Sequence, residues 1–221
     1  MQSAHGLNKC LFLLLFNVKL KTYLGVKYCL IIVLFMASIH GNAQVSHDKI
    51  VLGGGCFWCL EAVFETLNGV EEVVSGYAGG ITANPTYREV CDGNTGHAEV
   101  VMIHYDKNSI SFEEILQVFF TVHDPTILNR QGMDVGTQYR SVIFYTTHEQ
   151  AEAANDIVKE LNKLRVFKNP IVTQIDKLSE FYRAEDYHQD YFAKNPNNAY
   201  CQFTIQPKLD KMKKYFREKL K

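Results

Sequence analysis

Three consecutive glycines at residues 53–55 constrain the fold of this chain more than any other short segment. Residues 49–52 before them form a short apolar run, which predicts a β-strand that enters a tight turn. After them, apolar residues recur at helical spacing from Phe57 to Leu67, and Gly69 ends that pattern. The segment therefore predicts a strand, a sharp turn and a helix that begins at Cys56.

The remaining apolar patterns predict further strands and helices in the order of an α+β domain. Strands are predicted over residues 70–77, 98–105, 140–145 and 171–175. Capping boxes at Ser111 and Thr147 predict two helices, and the lysine-rich tail from Pro207 predicts a third. This order predicts a ferredoxin-like layered sheet, mostly antiparallel, with helices packed on it and a loop-rich C-terminal extension.

The first 43 residues differ from the rest of the chain, because they contain four lysines and no acidic residue. Their apolar runs, residues 10–16 and 29–39, are shorter than the roughly 20 residues that a membrane-spanning helix needs. A positive start, a short apolar centre and small residues up to Ala43 predict a secretory signal that is cleaved after Ala43. An uncleaved membrane anchor is the alternative. We therefore expect a signal peptide or N-terminal extension over residues 1–43 and one exported, periplasmic or extracytoplasmic domain over residues 44–221.

Composition and cysteine count argue against several classes of protein. With 47% hydrophobic residues the chain can build a core, and a net charge of −1 argues against nucleic-acid binding by bulk charge. Four of the six cysteines lie beyond residue 43, namely Cys56, Cys59, Cys91 and Cys201, which is too few for a disulfide scaffold. A single C-x-x-C without a second pair gives little support to a structural zinc site.

Cys56 stands where the predicted strand turns into the predicted helix. The partial positive charge of a helix start stabilises a thiolate, and the preceding glycines allow a substrate to approach closely. Phe57 and Trp58 follow directly and can form the walls of an apolar pocket. These features predict a nucleophilic cysteine; a buried structural cysteine with ordinary core aromatics is the alternative.

Residues 54–59, Gly-Gly-Cys-Phe-Trp-Cys, resemble the signature of the A-type peptide-methionine sulfoxide reductases, the peptide-methionine (S)-S-oxide reductases. Six further motifs resemble this family in the same order. They are residues 76–80, 84–87, 95–100, 124–126, 131–141 and 187–191. The resemblance covers about residues 49–202 and identifies residues 44–221 as the catalytic domain of such an enzyme.

The resemblance implies reduction of the S epimer of methionine sulfoxide, free and in proteins, which repairs oxidised proteins. It implies that Cys56 is the nucleophile that attacks the sulfoxide sulfur. Glu99 matches the acid that protonates the departing oxygen, a role that requires a carboxyl kept neutral in a poorly solvated pocket. Tyr87 and Tyr139 match hydroxyl donors to the same oxygen. A solvent-facing strand residue is the alternative for Glu99.

The remaining pocket residues are also assigned by resemblance. Phe57 and Trp58 match the walls that hold the substrate methyl group. Asp134 matches a polar pocket residue, which we expect to order Tyr139 or a water molecule. His97 and His188 are expected to be structural.

Recycling is implied by the same resemblance. Attack leaves Cys56 as a sulfenic acid, and Cys201 matches the C-terminal resolving cysteine of the family. Cys59, three residues from Cys56, is the alternative resolving thiol, and Cys91 is expected to take no part. Because no cysteine follows Cys201, the outward relay of some family members has no counterpart here. The disulfide is then reduced by thioredoxin or another dithiol, with no bound cofactor or metal, and we expect a monomer.

A general thiol–disulfide oxidoreductase that uses Cys56 and Cys59 is the alternative function. Glu99, Tyr87 and Tyr139 favour the sulfoxide reductase, because dithiol exchange needs no such acid. An exported enzyme of either kind requires a thioredoxin-like reductant outside the cytoplasm.

Overall fold

The computed structural model describes residues 46–221. The predicted signal over residues 1–43, and its alternative as a membrane anchor, lie outside the described residues. Within residues 46–221, no helix combines the length and the apolar character that crossing a bilayer requires.

Eight strands occur in the described part of the chain. They are β1 (His47–Gly53), β2 (Val70–Ala78), β3 (Ala98–Asp106), β4 (Arg130–Gln131), β5 (Asp134–Val135), β6 (Val142–Tyr145), β7 (Gln174–Lys177) and β8 (Phe181–Arg183). Strands β4 and β5 form a separate hairpin, and the other six form one sheet in the order β7-β6-β1-β3-β2-β8. The β6–β7 pair is parallel and the other pairs of this sheet are antiparallel. The sheet is therefore mixed, and the prediction of an α+β fold is confirmed.

The sheet extends further than the apolar patterns predict. The strand predicted over residues 171–175 lies at Gln174–Lys177, and β8 has no counterpart in the prediction. Strand β8 pairs with β2 at Gly76, where an added Cβ atom would lie 2.3 Å from the Phe181 ring. The pairing of β8 thus depends on a glycine about a hundred residues earlier, and a three-residue strand carries no pattern of its own.

The helices of the described part are α1 (Phe57–Phe64), α2 (Tyr87–Cys91), α3 (Phe112–Val122), α4 (His148–Lys163), α5 (Tyr191–Lys194) and α6 (Gln206–Tyr215). Ser111 and Glu114 form the predicted capping box of α3, and Thr147 accepts a hydrogen bond from the Gln150 N–H at the start of α4. Both predicted helix starts are confirmed. Helix α1 ends earlier than predicted, and Leu67 instead forms a β-bridge with Leu220.

Two segments predicted as polar loops contain short regular elements. The loop after β2 contains α2, which Thr86 and Glu89 begin with a capping box that the prediction missed. The loop before β6 contains the β4–β5 hairpin and a 3-10 turn over Thr137–Tyr139. Both segments lie beside Cys56 and carry predicted site residues.

The C-terminal extension is largely helical and not loop-rich, so this part of the prediction is wrong. After α5 the chain forms a π-helical turn over Cys201–Ile205, which continues directly into α6. The apolar residues Ile205, Leu209 and Met212 recur at helical spacing and are buried, which holds this segment on the domain. Cys201 is therefore part of a packed helical turn.

Side chains alternate between the two faces of the sheet, as the strand period requires. Leu52, Val101 and Ile103 point to the face that α1, α3 and α6 cover, where the larger core lies. Val51 and Val100 point to the opposite face and belong to a smaller core. This alternation decides which strand residues meet the helix that begins after Cys56.

Candidate active site

Cys56 is the N-cap residue of α1, at the end of the glycine turn. Gly55 has φ +96°, and an added Cβ atom there would lie 2.7 Å from Cγ of Gln131. A Cβ on Gly54 would lie about 3 Å from the rings of Phe119 and His123. The turn thus fits between the end of α3 and the β4–β5 hairpin only because it lacks side chains, and it leaves Cys56 only 8% exposed.

Glu99 is the second residue of strand β3, on the face that α1 covers, and it is 1% exposed. Its Oε2 atom accepts a hydrogen bond from the Phe57 N–H at 3.1 Å, so the carboxyl group caps the start of α1. Burial raises the pKa of Glu99 to about 8, against the opposing effect of the Phe57 N–H. The carboxyl group is therefore protonated at neutral pH, and the alternative of a solvent-facing strand residue is wrong.

The thiol of Cys56 is not the activated thiolate that its place at a helix start predicts. Burial raises its pKa well above the ordinary value, and Cys59 and Glu99 raise it further. These effects outweigh the favourable field of the helix start. The free protein therefore holds a neutral thiol beside a neutral acid.

Cys59 lies one turn further along α1 and is 3% exposed. Its N–H donates to the Cys56 carbonyl oxygen at 3.1 Å, and its Sγ atom lies 3.8 Å from the Tyr200 hydroxyl. The hydrogen bond from Cys56 lowers the pKa of Cys59, and the Lys208 ammonium lowers it further, against the effect of burial. Lys208 is held nearby because its Nζ donates to the Val122 carbonyl oxygen at the end of α3.

Tyr200 is a site residue that no sequence motif identifies. Its hydroxyl donates to Oδ2 of Asp134 at 2.8 Å, and burial is the main cause that raises its pKa. Asp134 thus orders Tyr200, and the expectation that it orders Tyr139 is not supported by any hydrogen bond in the described part of the chain. The pair links the β4–β5 hairpin to the C-terminal segment above Cys59.

Aromatic rings surround the start of α1. Phe57 is fully buried, and its ring centroid lies 6.4 Å from that of Tyr87. Trp58 is half-buried and stacks on Tyr191 at a centroid distance of 3.6 Å. Its indole N–H donates to Nδ1 of His188 at 3.1 Å, which fixes the orientation of the indole. These rings form an apolar wall beside Cys56.

His188 is buried in the same wall. Since Nδ1 accepts from Trp58, the neutral ring carries its proton on Nε2, and this atom has no hydrogen-bond partner within residues 46–221. Burial lowers the pKa of His188, which favours the neutral ring. Its place between the rings of Trp58 and Tyr87 is the packing role expected for it.

Tyr87 and Tyr139 come from the two loops that contain unpredicted elements. The Tyr87 N–H donates to Glu185 at 2.9 Å, and the Tyr77 hydroxyl donates to the same carboxylate, so Glu185 positions α2. Burial is the main cause that raises the pKa of Tyr87 and of Tyr139, and Glu99 contributes to both. Both hydroxyl groups therefore keep their protons, and both lie within electrostatic range of Glu99.

The other predicted residues lie at different depths around this site. His97 accepts from the Gly80 N–H through Nδ1 and bonds the Thr82 carbonyl oxygen through Nε2, so it orders a loop. Cys91 is partly exposed at the end of α2. Cys201 is fully buried beside Tyr200. Within residues 46–221, no group of three histidine, cysteine or acidic side chains is arranged to hold a metal ion.

Adjacent thiols can supply two electrons by pairing, and a neutral carboxyl group beside them can supply a proton. A water-poor pocket that combines both belongs to a thiol-dependent reductase.

The family model for peptide methionine sulfoxide reductase matches residues 48–220. A peptide methionine sulfoxide reductase MsrA of Trichodesmium erythraeum is 57% identical over 169 residues, which are 76% of this chain and 96% of the relative. The MsrA of Natronomonas pharaonis is 57% identical over 76% of this chain and 95% of its own length. The chain belongs to the peptide methionine sulfoxide reductase family, and it is an oxidoreductase that reduces methionine sulfoxide.

Solved structures agree with this membership. Methionine sulfoxide reductase A of Corynebacterium diphtheriae is 39% identical, with a TM-score of 0.63, over 71% of this chain and 78% of that one. Mxr1 of Saccharomyces cerevisiae in its reduced form is 33% identical, with a TM-score of 0.63, over 72% of this chain and 94% of that one. A general thiol–disulfide oxidoreductase is not favoured by these comparisons.

Proposed function

We propose that this protein reduces the S epimer of methionine sulfoxide, free and in proteins, through a sulfenic acid on Cys56. The observation that carries the proposal is the buried, protonated Glu99 that caps the helix beginning directly after Cys56. Dithiol exchange breaks no sulfur–oxygen bond, so it has no departing oxygen for this acid to protonate. Repair of proteins damaged during oxidative stress follows from this reaction.

The reaction requires that the sulfoxide oxygen is protonated as its bond to sulfur breaks. Glu99 is the proposed donor of that proton, and the hydroxyl groups of Tyr87 and Tyr139 are the proposed hydrogen-bond donors to the same oxygen. In the net reaction, the Cys56 thiol is oxidised by two electrons to a sulfenic acid. The sulfoxide is reduced to the thioether, and one oxygen atom is transferred to Cys56.

The proposed preference for one epimer follows from a pocket with unlike sides. The rings of Phe57 and Trp58 form an apolar side for the methyl group, and Glu99 lies on the polar side for the oxygen. In the mirror-image sulfoxide the oxygen would face the rings without a hydrogen bond. An unpaired buried polar group costs on the order of several kcal/mol, which is enough to reject that epimer.

Recycling requires a second thiol and then an external reductant. Cys59 lies one helix turn from Cys56, and Cys201 lies within electrostatic range of Cys59, so the sulfenic acid is proposed to condense with one of these thiols into an intramolecular disulfide. Thioredoxin or another dithiol is the proposed reductant, and the reaction needs no bound cofactor. The enzyme is proposed to act as a monomer.

The N-terminal assignments are also proposals. We propose that residues 1–43 are an export signal cleaved after Ala43, so that residues 44–221 form the mature catalytic domain in the periplasm or another extracytoplasmic compartment. Retention as a membrane anchor is the second possibility, and mass spectrometry of the purified protein from its native membrane and soluble fractions distinguishes them. The order β6-β1-β3-β2 within the sheet supports a ferredoxin-like description of its centre.

The central test is consumption of each epimer of a methyl sulfoxide by the purified protein with dithiothreitol as reductant. We expect turnover of the S epimer, loss of turnover in Cys56→Ser, and full turnover in the matched control Cys91→Ser. Insulin disulfide reduction, measured in parallel, tests the second candidate function. Equal consumption of both epimers, or activity in Cys56→Ser, would contradict the proposal.

A further inference from the structure

A buried carboxyl group lies one helix turn beyond Trp58 and has no part in the proposed reaction. Glu61 of α1 is 1% exposed, and a glutamate is rarely buried so deeply unless its carboxyl group is paired. Residues three apart on a helix are neighbours, so Trp58 and Glu61 lie on the same side of α1. Residues 188–191 pack against both of these side chains.

Each carboxyl oxygen of Glu61 accepts a hydrogen bond from a different element. Oε1 accepts from the hydroxyl of Ser75, a fully buried residue of β2, at 3.0 Å. Oε2 accepts from the Tyr191 N–H at 3.2 Å. The ring of Tyr191 in turn stacks on Trp58, with centroids 3.6 Å apart and planes within 4° of parallel. Glu61 therefore connects the sheet to the residue that covers the indole.

The chain reaches Tyr191 through a turn that needs support. Asp190 has φ 54°, a conformation that residues other than glycine rarely adopt, and its own side chain makes no capping bond to α5. Before the turn, the side-chain amide of Gln189 bonds the N–H and the carbonyl oxygen of Ser75 at 3.1 and 3.0 Å. After the turn, Glu61 bonds the Tyr191 N–H. Two buried side chains thus fix the turn from both ends.

The placement of Tyr191 restricts the indole of Trp58. The bond from the indole N–H to His188 fixes one edge of the ring. A half-buried ring held by a single hydrogen bond can still pivot about that bond, whereas a ring stacked on its face removes this freedom. The angle of Trp58 toward Cys56 therefore depends on Tyr191, and Tyr191 is held by Glu61.

From this arrangement we infer that Glu61 is a positioning residue for substrate selection. By holding Tyr191 on the face of Trp58, it sets the width of the apolar slot that accepts the methyl group on sulfur. The inference rests on the proposed role of Trp58 as a wall of that slot. Glu61 acts through Tyr191, so it governs which group fits on the sulfur, whereas Glu99 governs proton transfer to the oxygen.

Two substitutions separate the hydrogen bonds of Glu61 from its charge. In Glu61→Gln, the amide oxygen can accept the Tyr191 N–H and the amide nitrogen can donate to the Ser75 hydroxyl, so both links are kept. Glu61→Leu fills a similar volume but leaves the Tyr191 N–H without its acceptor. We therefore expect Glu61→Gln to keep the slot and Glu61→Leu to widen it.

The test compares kcat/KM of the full chain for methionine S-sulfoxide and for ethionine S-sulfoxide, which carries an ethyl group on sulfur, with dithiothreitol as reductant. The wild type should favour the methyl compound by about tenfold or more, the discrimination typical of one methylene in an apolar pocket. The ratio of the two values does not depend on the fraction of enzyme that is folded. A variant that is merely destabilised therefore keeps the wild-type ratio.

We expect the ratio to fall by about threefold or more in Glu61→Leu and in Tyr191→Leu, with no further fall in the double variant. Glu61→Gln should keep the wild-type ratio. So should Gln150→Leu, a control that removes a buried side chain bonded to the Lys49 carbonyl oxygen, because it disturbs the core away from the slot.

An unchanged ratio in Glu61→Leu would overturn the inference. An unchanged ratio in Tyr191→Leu would do the same, and this variant tests the contact even if Glu61→Leu does not fold. Additive losses in the double variant would also overturn it, because Glu61 would then act independently of Tyr191. A wild-type protein that reduces neither sulfoxide would instead contradict the proposed function.

Discussion

Glu99 ties the stability of the fold to pH, and this coupling can be measured without any substrate. The folded chain holds the Glu99 pKa at about 8, whereas an unfolded chain returns it to the ordinary value of about 4.5. Between these values the unfolded chain has released a proton that the folded chain still binds. A rise in pH therefore favours unfolding, and the stability that the neutral carboxyl contributes is fully present below about pH 4.5.

The magnitude follows from the width of this interval. Each pH unit between 4.5 and about 8 lowers the free energy of unfolding by about 1.4 kcal/mol, so the loss approaches about 5 kcal/mol by pH 8. Glu99→Gln removes the ionisable group but keeps an oxygen that accepts the Phe57 N–H. The variant should therefore lack this slope and be more stable than the wild type above pH 8.

Urea unfolding at pH 5, 6, 7, 8 and 9 measures this difference. Glu72→Gln, a change of an exposed glutamate on β2, is the matched control and should follow the wild type at every pH. Parallel curves for the wild type and Glu99→Gln across the whole range would refute the protonated carboxyl. In the same pH series, sulfoxide reduction by the wild type should decline above about pH 8 as Glu99 ionises, and Glu99→Gln should lose about 10²–10⁴-fold in rate.

Three further changes test other parts of the structure. Tyr139→Phe removes one proposed donor to the sulfoxide oxygen and should lower kcat by about 10–10³-fold with little change in KM. An unchanged kcat would show that the Tyr139 hydroxyl takes no part in the reaction. Phe203 is 83% exposed two residues beyond Cys201, and we expect Phe203→Ser to raise KM for thioredoxin several-fold while dithiothreitol-supported activity stays the same. An equal effect on both reductants would show that the change disturbs the site itself. Gly76→Ala places a Cβ atom against the Phe181 ring and should destabilise the fold by about 1–3 kcal/mol in urea, and wild-type stability would contradict the close contact.

The long elements were predictable because each buries one continuous apolar face. The spacing of Phe112, Ile115, Leu116 and Phe119 predicts α3, and these residues lie in or against the core as that spacing requires. The short elements were not predictable for the opposite reason. Strand β8 pairs with β2 because Gly76 has no side chain, and Gly76 is distant in sequence. The three residues of β8 therefore contain no pattern that predicts the pairing.

In the active site, too, local motifs predict some features, whereas others depend on contacts between residues that are distant in sequence. Motif resemblance points to Cys56, Glu99 and Tyr139, and the fold brings Glu99 to within a hydrogen bond of the residue after Cys56. The electrostatic character of these groups follows from burial, which the motifs do not encode, and burial reverses the expected thiolate character of Cys56. The hydrogen bond from Tyr200 to Asp134 joins residues that are 66 positions apart, so no local sequence pattern predicts it.

Trp58 is the single tryptophan of the chain, and it stacks on Tyr191 and stands edge-on to Tyr200. Its near-ultraviolet emission therefore originates entirely at the catalytic pocket. Because Tyr200 contacts Cys59 and neighbours Cys201, rearrangement of those sulfurs changes the surroundings of the indole. The unlabelled protein thus carries an optical reporter of its own redox state, and stopped-flow fluorescence can follow formation and reduction of the proposed disulfide in real time.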